Sequence, residues 1–385
     1  MTSRVVITGL LCAAAVLGQG GALAQQPPPP KAASDDPFAG VAEKPTAVAP
    51  AARGWFRSLF TENFGFRKEI MSQFTSSADG NRASRQSLGF EILKKFSTDT
   101  ATVASFNFQG RLVRRDGFNA VRNDMEGEYR PGWVFEYHNV YLDLYNVFNP
   151  LLGDKQRGRQ TGRFNIRAGR FYVPFGLNLQ TDTHGTVLQL SNDRNFGFER
   201  DWYTGLWGSV NRHLNYDAYY LLGSGYDVAF RGQRGLAALR MSLSNKYLSE
   251  YGLEGGVSVL GGERLLMNGR KADTRRAGVD GRYRRAVPTG LLTLTSEGSG
   301  GRDGRNAVAM QLHQAEYLRA SRRWGVGAQY RRFREAGYGA DAAVIGEFSW
   351  YFRNDAGNSN LHWIKFNVEH SRPRTVVTLQ YYFYR

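Results

Sequence analysis

The stretch "RFNIRAGRFYVPFGLNLQTD", residues 163 to 182, changes character part-way along its length. From Arg163 to Ala168, charged or polar residues alternate strictly with apolar ones. This period of two predicts a β-strand with two unlike faces. The Pro-Phe-Gly sequence at 174 to 176 then ends the strand. One face of this strand carries arginines and the other carries Phe and Ile, so the two faces must lie in different surroundings in the folded protein.

The beginning of the chain indicates export. Residues 1 to 24 have a basic start at Arg4, an apolar run and an Ala-Leu-Ala cleavage pattern, which together predict a secretory signal. The single cysteine, Cys12, lies inside this signal, so we expect no disulfide and no cysteine metal site in the mature chain. Residues 25 to 53 are rich in Pro and Ala and lack an apolar period, which predicts an extended periplasmic leader.

The composition of the chain narrows the fold class. The mean hydropathy is −0.45 and no run of 18 apolar residues follows the signal, which argues against a helical membrane protein. Aromatic residues nevertheless make up 13% of the chain, which also has 45 glycines. This combination is typical of a transmembrane β-barrel, because only every second residue of a strand faces lipid. A secreted β-sandwich would be compatible with the composition alone.

Alternating segments follow one another from residue 64 to residue 384. We therefore predict an all-β chain whose residues 54 to 385 form a transmembrane antiparallel β-barrel of about sixteen strands, with fourteen or eighteen left open. If both ends of the barrel are periplasmic, odd connections should be long and even ones tight. The predicted long outer connections include 114 to 132, 174 to 202, 262 to 273 and 298 to 304. Exceptions to the rule are 147 to 161, 336 to 339 and 371 to 372.

Several of these segments show a clean lipid-facing side. The apolar sets are Phe106 and Phe108; Leu239, Met241 and Leu243; Ile364, Phe366 and Val368; and, at the end of the chain, Val377, Leu379, Tyr381 and Phe383. Four tryptophans near strand ends, Trp207, Trp324, Trp350 and Trp363, are expected to form aromatic girdles. The segment 133 to 146 mixes Tyr137 and Tyr141 with Asn139 and Asp143 on one face, which suggests a β-bulge.

Three stretches between residues 163 and 225 resemble the phosphate-selective porin (porin O and P) family. They are "AGRFYVPFGLNLQTD", "FERDWYTGLWGSV" at 198 to 210 and "YDAYYLLGSG" at 216 to 225. The resemblance implies a bacterial outer-membrane porin of sixteen strands, often a homotrimer, through which small hydrophilic or anionic solutes diffuse passively. Its partners would be outer-membrane lipid, lipopolysaccharide and the solutes. Phosphate selectivity is not carried over, because the family's arginine ladder and lysine cluster cannot be matched here residue by residue.

Candidate pore-lining residues come from strand parity and from the long connection 174 to 202. In porins the third outer loop commonly folds inward, so the charged residues of this connection would lie at the narrowest point, where side chains set selectivity. A solvated surface loop, or a salt-bridge knot formed by Glu-Arg-Asp at 199 to 201, is the alternative. The predicted pore-lining residues are Arg111, Arg163, Arg167, Arg240, Arg282, Arg331, Arg194, Glu199, Arg200 and Asp201. Parity adds further arginines, Arg276, Arg284, Arg319 and Arg374, and the carboxylates Asp217, Glu254, Asp280, Glu297, Glu347 and Glu369.

Other function classes are less well supported by the sequence. The formal net charge of +16 would suit nucleic acid, but the arginines are scattered along alternating segments of an exported chain, so no nucleic-acid partner is expected. The six histidines show no metal-ligand spacing, and we expect no cofactor. Asp182, His184 and Ser191 could be imagined as a catalytic triad, but three common residues are weak support and we predict no enzyme. "GSGGRDGR" at 298 to 305 has no helix behind it to bind phosphate and is interpreted as a loop.

Two readings of the function remain. The first is a passive outer-membrane porin that favours anions, because arginines outnumber carboxylates on the predicted inner face. The alternative is a barrel that serves as a membrane anchor or export conduit for a partner, with the leader as a tether.

Overall fold

Sixteen β-strands form a closed antiparallel barrel in the part of the chain that the structure describes. A computed structural model describes residues 63–97, 102–117, 132–148, 162–177, 200–211, 213–225, 231–243, 252–266, 270–335, 339–354, 360–371 and 374–385. The strands are β1 (Phe64–Ser77), β2 (Arg82–Ser97), β3 (Thr102–Gly117), β4 (Trp133–Leu144), β5 (Asn165–Tyr172), β6 (Arg200–Ser209), β7 (Leu214–Leu221), β8 (Gly235–Leu243), β9 (Gly252–Leu265), β10 (Lys271–Val287), β11 (Gly290–Asp303), β12 (Asn306–Arg319), β13 (Trp324–Glu335), β14 (Gly339–Asn354), β15 (Leu361–Ser371) and β16 (Arg374–Tyr384).

Each strand pairs with its neighbour in sequence, and β16 pairs with β1 to close the sheet. The predicted fold class and strand number are confirmed. Even the last residue takes part, because Arg385 exchanges backbone hydrogen bonds with Lys68. The predicted signal (1 to 24) and leader (25 to 53) lie outside the described residues. Within the described residues, no helix is long and apolar enough to cross a membrane.

The two faces of the sheet differ as the alternation predicts. Leu239, Ile364 and Leu379 are among the exposed apolar side chains of the outer face. The residues between them, such as Arg240 and Lys365, are buried on the inner face. This arrangement answers the question raised by the first stretch: the apolar face looks outward and the arginine face looks into the barrel.

A β-bulge in β4 resolves the ambiguous segment. Gln109 of β3 pairs with Asn139 while Gly110 pairs with Tyr137, so His138 is the extra residue. The bulge changes the parity, because one inserted residue moves the following side chains to the other face. Tyr141 is therefore buried on the inner face, as the predicted bulge requires.

The strands differ in length around the barrel. β5 to β8, which we call the short-strand sector, have 8 to 10 residues each. The other strands have 11 to 17 residues. We call the end where β1 begins and β16 finishes the lower end, and the opposite one the upper end. The long upper connections follow β3, β5 and β7, whereas those after β11 and β15 span only two residues.

Two expectations about the upper end are wrong. The glycine-rich stretch 298 to 304 is not a loop: β11 continues to Asp303, paired with β10 and β12, and a tight turn at Gly304 reaches Asn306. The connection 262 to 273 is likewise mostly strand. Glycines weaken a strand but do not end it when backbone partners lie on both sides, which a reading of one segment does not reveal.

Two of the four predicted girdle tryptophans are on the wrong face. Trp350 is 43% exposed on the outer face and pairs with Trp324 near the lower end. Trp363, however, is buried against Tyr382 inside the barrel, with ring centroids 4.6 Å apart. The Trp207 ring also faces inward, 5.3 Å from the Arg167 guanidinium. The position of a tryptophan near a strand end therefore predicts its depth in the membrane but not the face of the sheet on which it lies.

Parity also fails for Arg319 in β12. The inner face of this strand carries Val308, Met310 and Leu312, each less than 7% exposed. Arg319 has the opposite parity and lies over the Trp324 ring, 5.6 Å from its centroid. Arg319 therefore lies on the outer face of the sheet near the lower end, and the prediction that it lines the pore is wrong.

Candidate functional site

The inner face of the barrel carries ion pairs that cross from one strand to the next but one. Arg111 of β3 donates from Nε and Nη2 to Glu69 Oε2 of β1, at 3.0 and 2.6 Å. Gly89 of β2 lies between them, and a Cβ there would meet Arg111 Cγ at 2.8 Å. The absence of a side chain at Gly89 is what lets the ion pair form above the intervening strand.

The same device recurs on the other side of the barrel. Arg240 of β8 pairs with Asp280 of β10, with Nη2 and Oδ1 2.6 Å apart. A Cβ on Gly256 of β9 would lie 2.8 Å from Arg240 Nη2. Two more predicted arginines also pair on the inner face, Arg282 with Glu254 and Arg331 with Glu369.

Arg167 of β5 is held by both charge and aromatic rings. Its Nε and Nη2 donate to the Asp143 carboxylate at 2.7 and 2.8 Å. The Tyr141 and Phe171 ring centroids are each 4.4 Å from its guanidinium carbon. An arginine stacked in this way keeps its charge while its orientation is fixed.

The residues after β5 fold into the barrel. The Gly176 N–H donates to Ser258 Oγ of β9 at 3.0 Å. The Phe175 ring lies against β10, because a Cβ on Gly278 would be 2.8 Å from its Cζ. Since β9 and β10 lie four and five strands away from β5, the segment Val173–Leu177, which we call the inward segment, extends across the interior.

An apolar wall lines the short-strand sector where the inward segment packs. Its buried residues are Tyr203, Tyr219, Leu221, Leu236 and Ala238, with Leu260 of the adjacent β9, and Val173 and Phe175 of the inward segment pack against them. These side chains are on the inner face, which elsewhere in the described strands carries many ion pairs. The inward segment is thus fixed by burial of apolar surface and not only by single hydrogen bonds.

Asp201 at the start of β6 joins two of the motifs. Its carboxylate is fully buried and accepts hydrogen bonds from the backbone N–H groups of Trp202, Gly223 and Gly225, at 2.9, 2.6 and 3.1 Å. Gly223 and Gly225 have φ of 74° and 73°, a region that favours glycine. The Glu-Arg-Asp and Gly-Ser-Gly motifs are therefore parts of one junction.

Two arginines fill the place where β4 and β5 stop pairing, after Val140 and Arg170. Arg170 Nη1 donates to the carbonyl oxygens of Tyr137 and His138 at 3.0 and 2.5 Å, next to the bulge. Arg200 donates to Asn139 Oδ1 at 3.2 Å and lies over the Tyr172 ring at 4.1 Å. Side chains here supply partners that the strand ladder no longer supplies.

The remaining predicted site residues are placed as follows. Arg163 precedes β5 and is exposed, and its carbonyl oxygen accepts a hydrogen bond from the Tyr216 hydroxyl at 2.6 Å. Arg194 and Glu199 lie outside the described residues, as do Asp182, His184 and Ser191. Arg200 and Asp201 are buried at a junction, where Arg200 donates to Asn139 and Asp201 accepts from backbone N–H groups.

One charged cluster escaped the sequence reasoning. Asp303 Oδ2 accepts from Nη2 of both Arg264 and Arg276, at 2.9 and 2.8 Å, so two guanidinium groups share one carboxylate. Arg276 is one inward position above Gly278, where Phe175 packs. The sequence does not predict this cluster, because the glycines of residues 298 to 304 indicate a loop, which would remove Asp303 from the inner face.

Comparison with known proteins fits this geometry. No protein-family model matches the sequence, and no curated protein matches it. The fold resembles Pseudomonas putida OprB, with a TM-score of 0.58 at 10% identity over 84% of this chain and 94% of that chain. It also resembles Salmonella typhi OmpF in a complex with daunomycin, with a TM-score of 0.55 at 11% identity over 84% and 97%.

A third similar structure is the anion-selective porin from Comamonas acidovorans, with a TM-score of 0.54 at 9% identity over 84% of this chain and 99% of that chain. The chain has an outer-membrane porin fold. At these identities the likeness extends to the fold alone.

Proposed function

We propose that the protein is a porin of the bacterial outer membrane that lets small hydrophilic solutes diffuse passively. The observation that carries this proposal is the closed sixteen-stranded barrel with an apolar outer face and a charged inner face, into which the inward segment folds. An apolar outer band suits lipid, and a constricting segment sets which solutes pass.

The resemblance to the phosphate-selective porin family rests on three stretches of sequence. The described parts of these stretches include the inward segment and the Asp201 junction at the upper end of the short-strand sector, which supports the resemblance. We extend the proposal to a homotrimeric porin of this general kind and not to selectivity for phosphate. Outer-membrane lipid and lipopolysaccharide would be its surroundings.

We further propose that the pore favours anions. Arg264 and Arg276 both bond to the carboxylate of Asp303, so two guanidinium groups and one carboxylate lie together near the inward segment. Most other arginines named above pair one to one with a carboxylate, so this cluster is the part of the described inner face that we choose for testing the anion preference. Two unit charges 4 Å apart interact by about 1 kcal/mol in water and about 4 kcal/mol at an effective dielectric of 20, enough to bias passage.

The reversal potential under a KCl gradient in a planar bilayer tests this function. The native pore should prefer chloride. Arg264→Gln with Arg276→Gln should lower the anion-to-cation permeability ratio several-fold, whereas Asp303→Asn should raise it. The preference should also weaken at about 1 M salt, where the screening length falls to about 3 Å.

Arg285→Gln is the matched control, because Arg285 is exposed on the outer face and should not alter the ratio. A cation preference in the native pore would contradict the anion proposal. A folded barrel that stays electrically silent at all voltages would contradict the porin itself and favour the anchor or conduit.

A further inference from the structure

One side of the lower mouth of the barrel is lined by aromatic and apolar side chains. Five of them pack together on the inner face of β1, β15 and β16, and we call them the lower aromatic cluster: Met71, Leu361, Trp363, Tyr382 and Tyr384. The Tyr382 ring is stacked on Trp363 and nearly parallel to the Tyr384 ring, whose centroid is 6.4 Å away. An apolar surface therefore faces a lumen whose walls elsewhere carry many charges.

The wall formed by the lower parts of β10, β11 and β12 is different. Its inner face carries Arg284, Thr293 and Glu316, which lie in one row across the three strands. These three side chains are half-buried, whereas every member of the lower aromatic cluster is less than 10% exposed and Tyr382 is fully buried. A side chain on the wall of an open tube keeps one side toward the lumen, so the full burial of Tyr382 indicates a further layer above the cluster.

Two polar atoms at the cluster indicate the chemistry of this layer. The indole Nε1 of Trp363 is buried and has no hydrogen-bond partner within the described residues. Gln380 is 1% exposed and donates from Nε2 to Met71 Sδ at 3.5 Å, while its Oε1 has no partner in the same part of the chain. Buried polar atoms are normally hydrogen-bonded. A peptide segment would supply both an acceptor and a donor, because each residue other than proline carries a carbonyl group and an N–H group.

The chain enters β1 at the same end of the barrel. Asn63, directly before β1, has a φ of 49°, in the left-handed region, which turns the backbone away from the line of the strand. The turn is fixed to β2, because the Asn63 carbonyl oxygen accepts a hydrogen bond from the Lys95 N–H at 3.0 Å. The residues before Asn63 are therefore attached at the lower mouth by a turn and not by a continuation of β1.

Residues 54 to 62, "GWFRSLFTE", precede this turn and lie outside the described residues. We call them the entry segment. Four of its nine residues are large and apolar: Trp55, Phe56, Leu59 and Phe60. The sequence therefore offers apolar side chains that match the lower aromatic cluster, on a backbone that can satisfy its polar atoms.

The entry segment is long enough to reach the cluster. Tyr384 pairs with Glu69, which is five residues along β1 from Phe64. Five residues of a strand span about 17 Å at about 3.4 Å per residue. Nine extended residues span up to about 30 Å, so the segment can return from Asn63 to the level of Tyr384 and beyond.

We infer that the entry segment folds back into the lower mouth and packs on the lower aromatic cluster. Its apolar side chains cover the rings, and its backbone provides partners for Trp363 Nε1 and Gln380 Oε1. The passage at the lower mouth then runs along the polar wall of Arg284, Thr293 and Glu316. The entry segment is thus a partial plug at the end opposite to the inward segment. The packing is independent of the proposed function, whereas the narrowing of a passage rests on it.

Disulfide formation in the full chain tests the packing. In a Cys12→Ser background, Phe56→Cys is combined either with Leu361→Cys in the cluster or with Thr293→Cys on the polar wall, which is the matched control. Oxidation with copper phenanthroline in air should join Phe56→Cys to Leu361→Cys at least tenfold faster than to Thr293→Cys. Heat-modifiable migration on gels checks that each variant is folded. Met71→Cys, in the same cluster, takes the place of Leu361→Cys if that variant does not fold.

A third cysteine position tests the choice of segment. Phe38→Cys, in the predicted leader, should join Leu361→Cys more slowly than Phe56→Cys does. Faster joining of Phe38→Cys would assign the cover to the leader and overturn the inference. Equal rates at Leu361→Cys and Thr293→Cys, or no disulfide in either folded pair, would overturn it as well, because the entry segment would then not be held on the cluster.

Single-channel conductance tests whether the entry segment narrows the passage. Trp55→Ser with Phe56→Ser should raise the conductance by tens of per cent, and Phe38→Ser should leave it unchanged. Unchanged conductance in the double variant would overturn the partial plug. A folded barrel that is silent at all voltages would contradict the porin proposal, while the disulfide rates would still decide the packing, so the two failures give different results.

Discussion

The short-strand sector and the long strands hold the same barrel together by different means. In the long strands the backbone ladder runs nearly from end to end, as in β10, which is paired on both sides along most of its 17 residues. In the short-strand sector the ladder stops early, and buried side chains such as Asp201 and Arg170 bond to the backbone instead. Among the described residues, the inward segment enters the interior from the short-strand sector, where the sheet is least complete.

The comparison predicts that the largest loss of stability comes from Asp201→Asn. The amide keeps the size of the side chain but loses the charge and one acceptor oxygen, so buried backbone N–H groups are left with weaker or no partners. We expect a loss of about 3 kcal/mol, since each unsatisfied buried group costs about 1–3 kcal/mol. Urea unfolding of the refolded barrel in lipid vesicles measures it.

Asp273→Asn is the matched control outside the short-strand sector. Asp273 pairs with Arg234 in an exposed ion pair, and such pairs contribute about 0–1 kcal/mol. Equal losses in the two variants would mean that the junction at Asp201 has no special role.

Gly89→Ala should have a smaller effect, and it tests the long strands. The new Cβ would meet Arg111 Cγ at 2.8 Å and Glu69 Cβ at 3.3 Å, so the ion pair must shift. Overpacking of this kind costs about 1–3 kcal/mol, and we expect about 2 kcal/mol. Gly346→Ala, where a Cβ would meet nothing within 4 Å, should change stability little in the same urea experiment.

If Gly89→Ala is as stable as Gly346→Ala, the Arg111–Glu69 ion pair does not depend on the missing side chain at Gly89 of β2. If instead it unfolds more readily than Asp201→Asn, the long strands depend on side-chain contacts more than the short-strand sector does, and the contrast between the two parts is lost.

The sequence predicts the periodic parts of this molecule well. The predicted lipid-facing sets around Leu239, Ile364 and Leu379 are confirmed. One face of each strand is exposed to lipid along its whole length, so every second residue of the sequence is apolar. The mixed face of β4 likewise predicts a β-bulge, and the structure places it at His138.

What escaped prediction depends on neighbours in space. β11 keeps its glycines in strand form because β10 and β12 hold it on both sides, and the sequence of one strand does not show its partners. The pairing of Asp303 with Arg264 and Arg276 depends on the stagger between β9, β10 and β11. Trp363 turns inward because of the strand's parity and not its depth in the membrane.

The most direct test of the account is the single-channel conductance of Phe175→Ala beside that of the native barrel. The Phe175 ring fastens the inward segment to the far wall at Gly278, so its removal should widen the pore and raise the conductance by tens of per cent. Phe348→Ala, on the outer face where Phe348 is 44% exposed, should leave the conductance unchanged. Equal conductance in Phe175→Ala and the native barrel would contradict the claim that the inward segment sets the width of the pore.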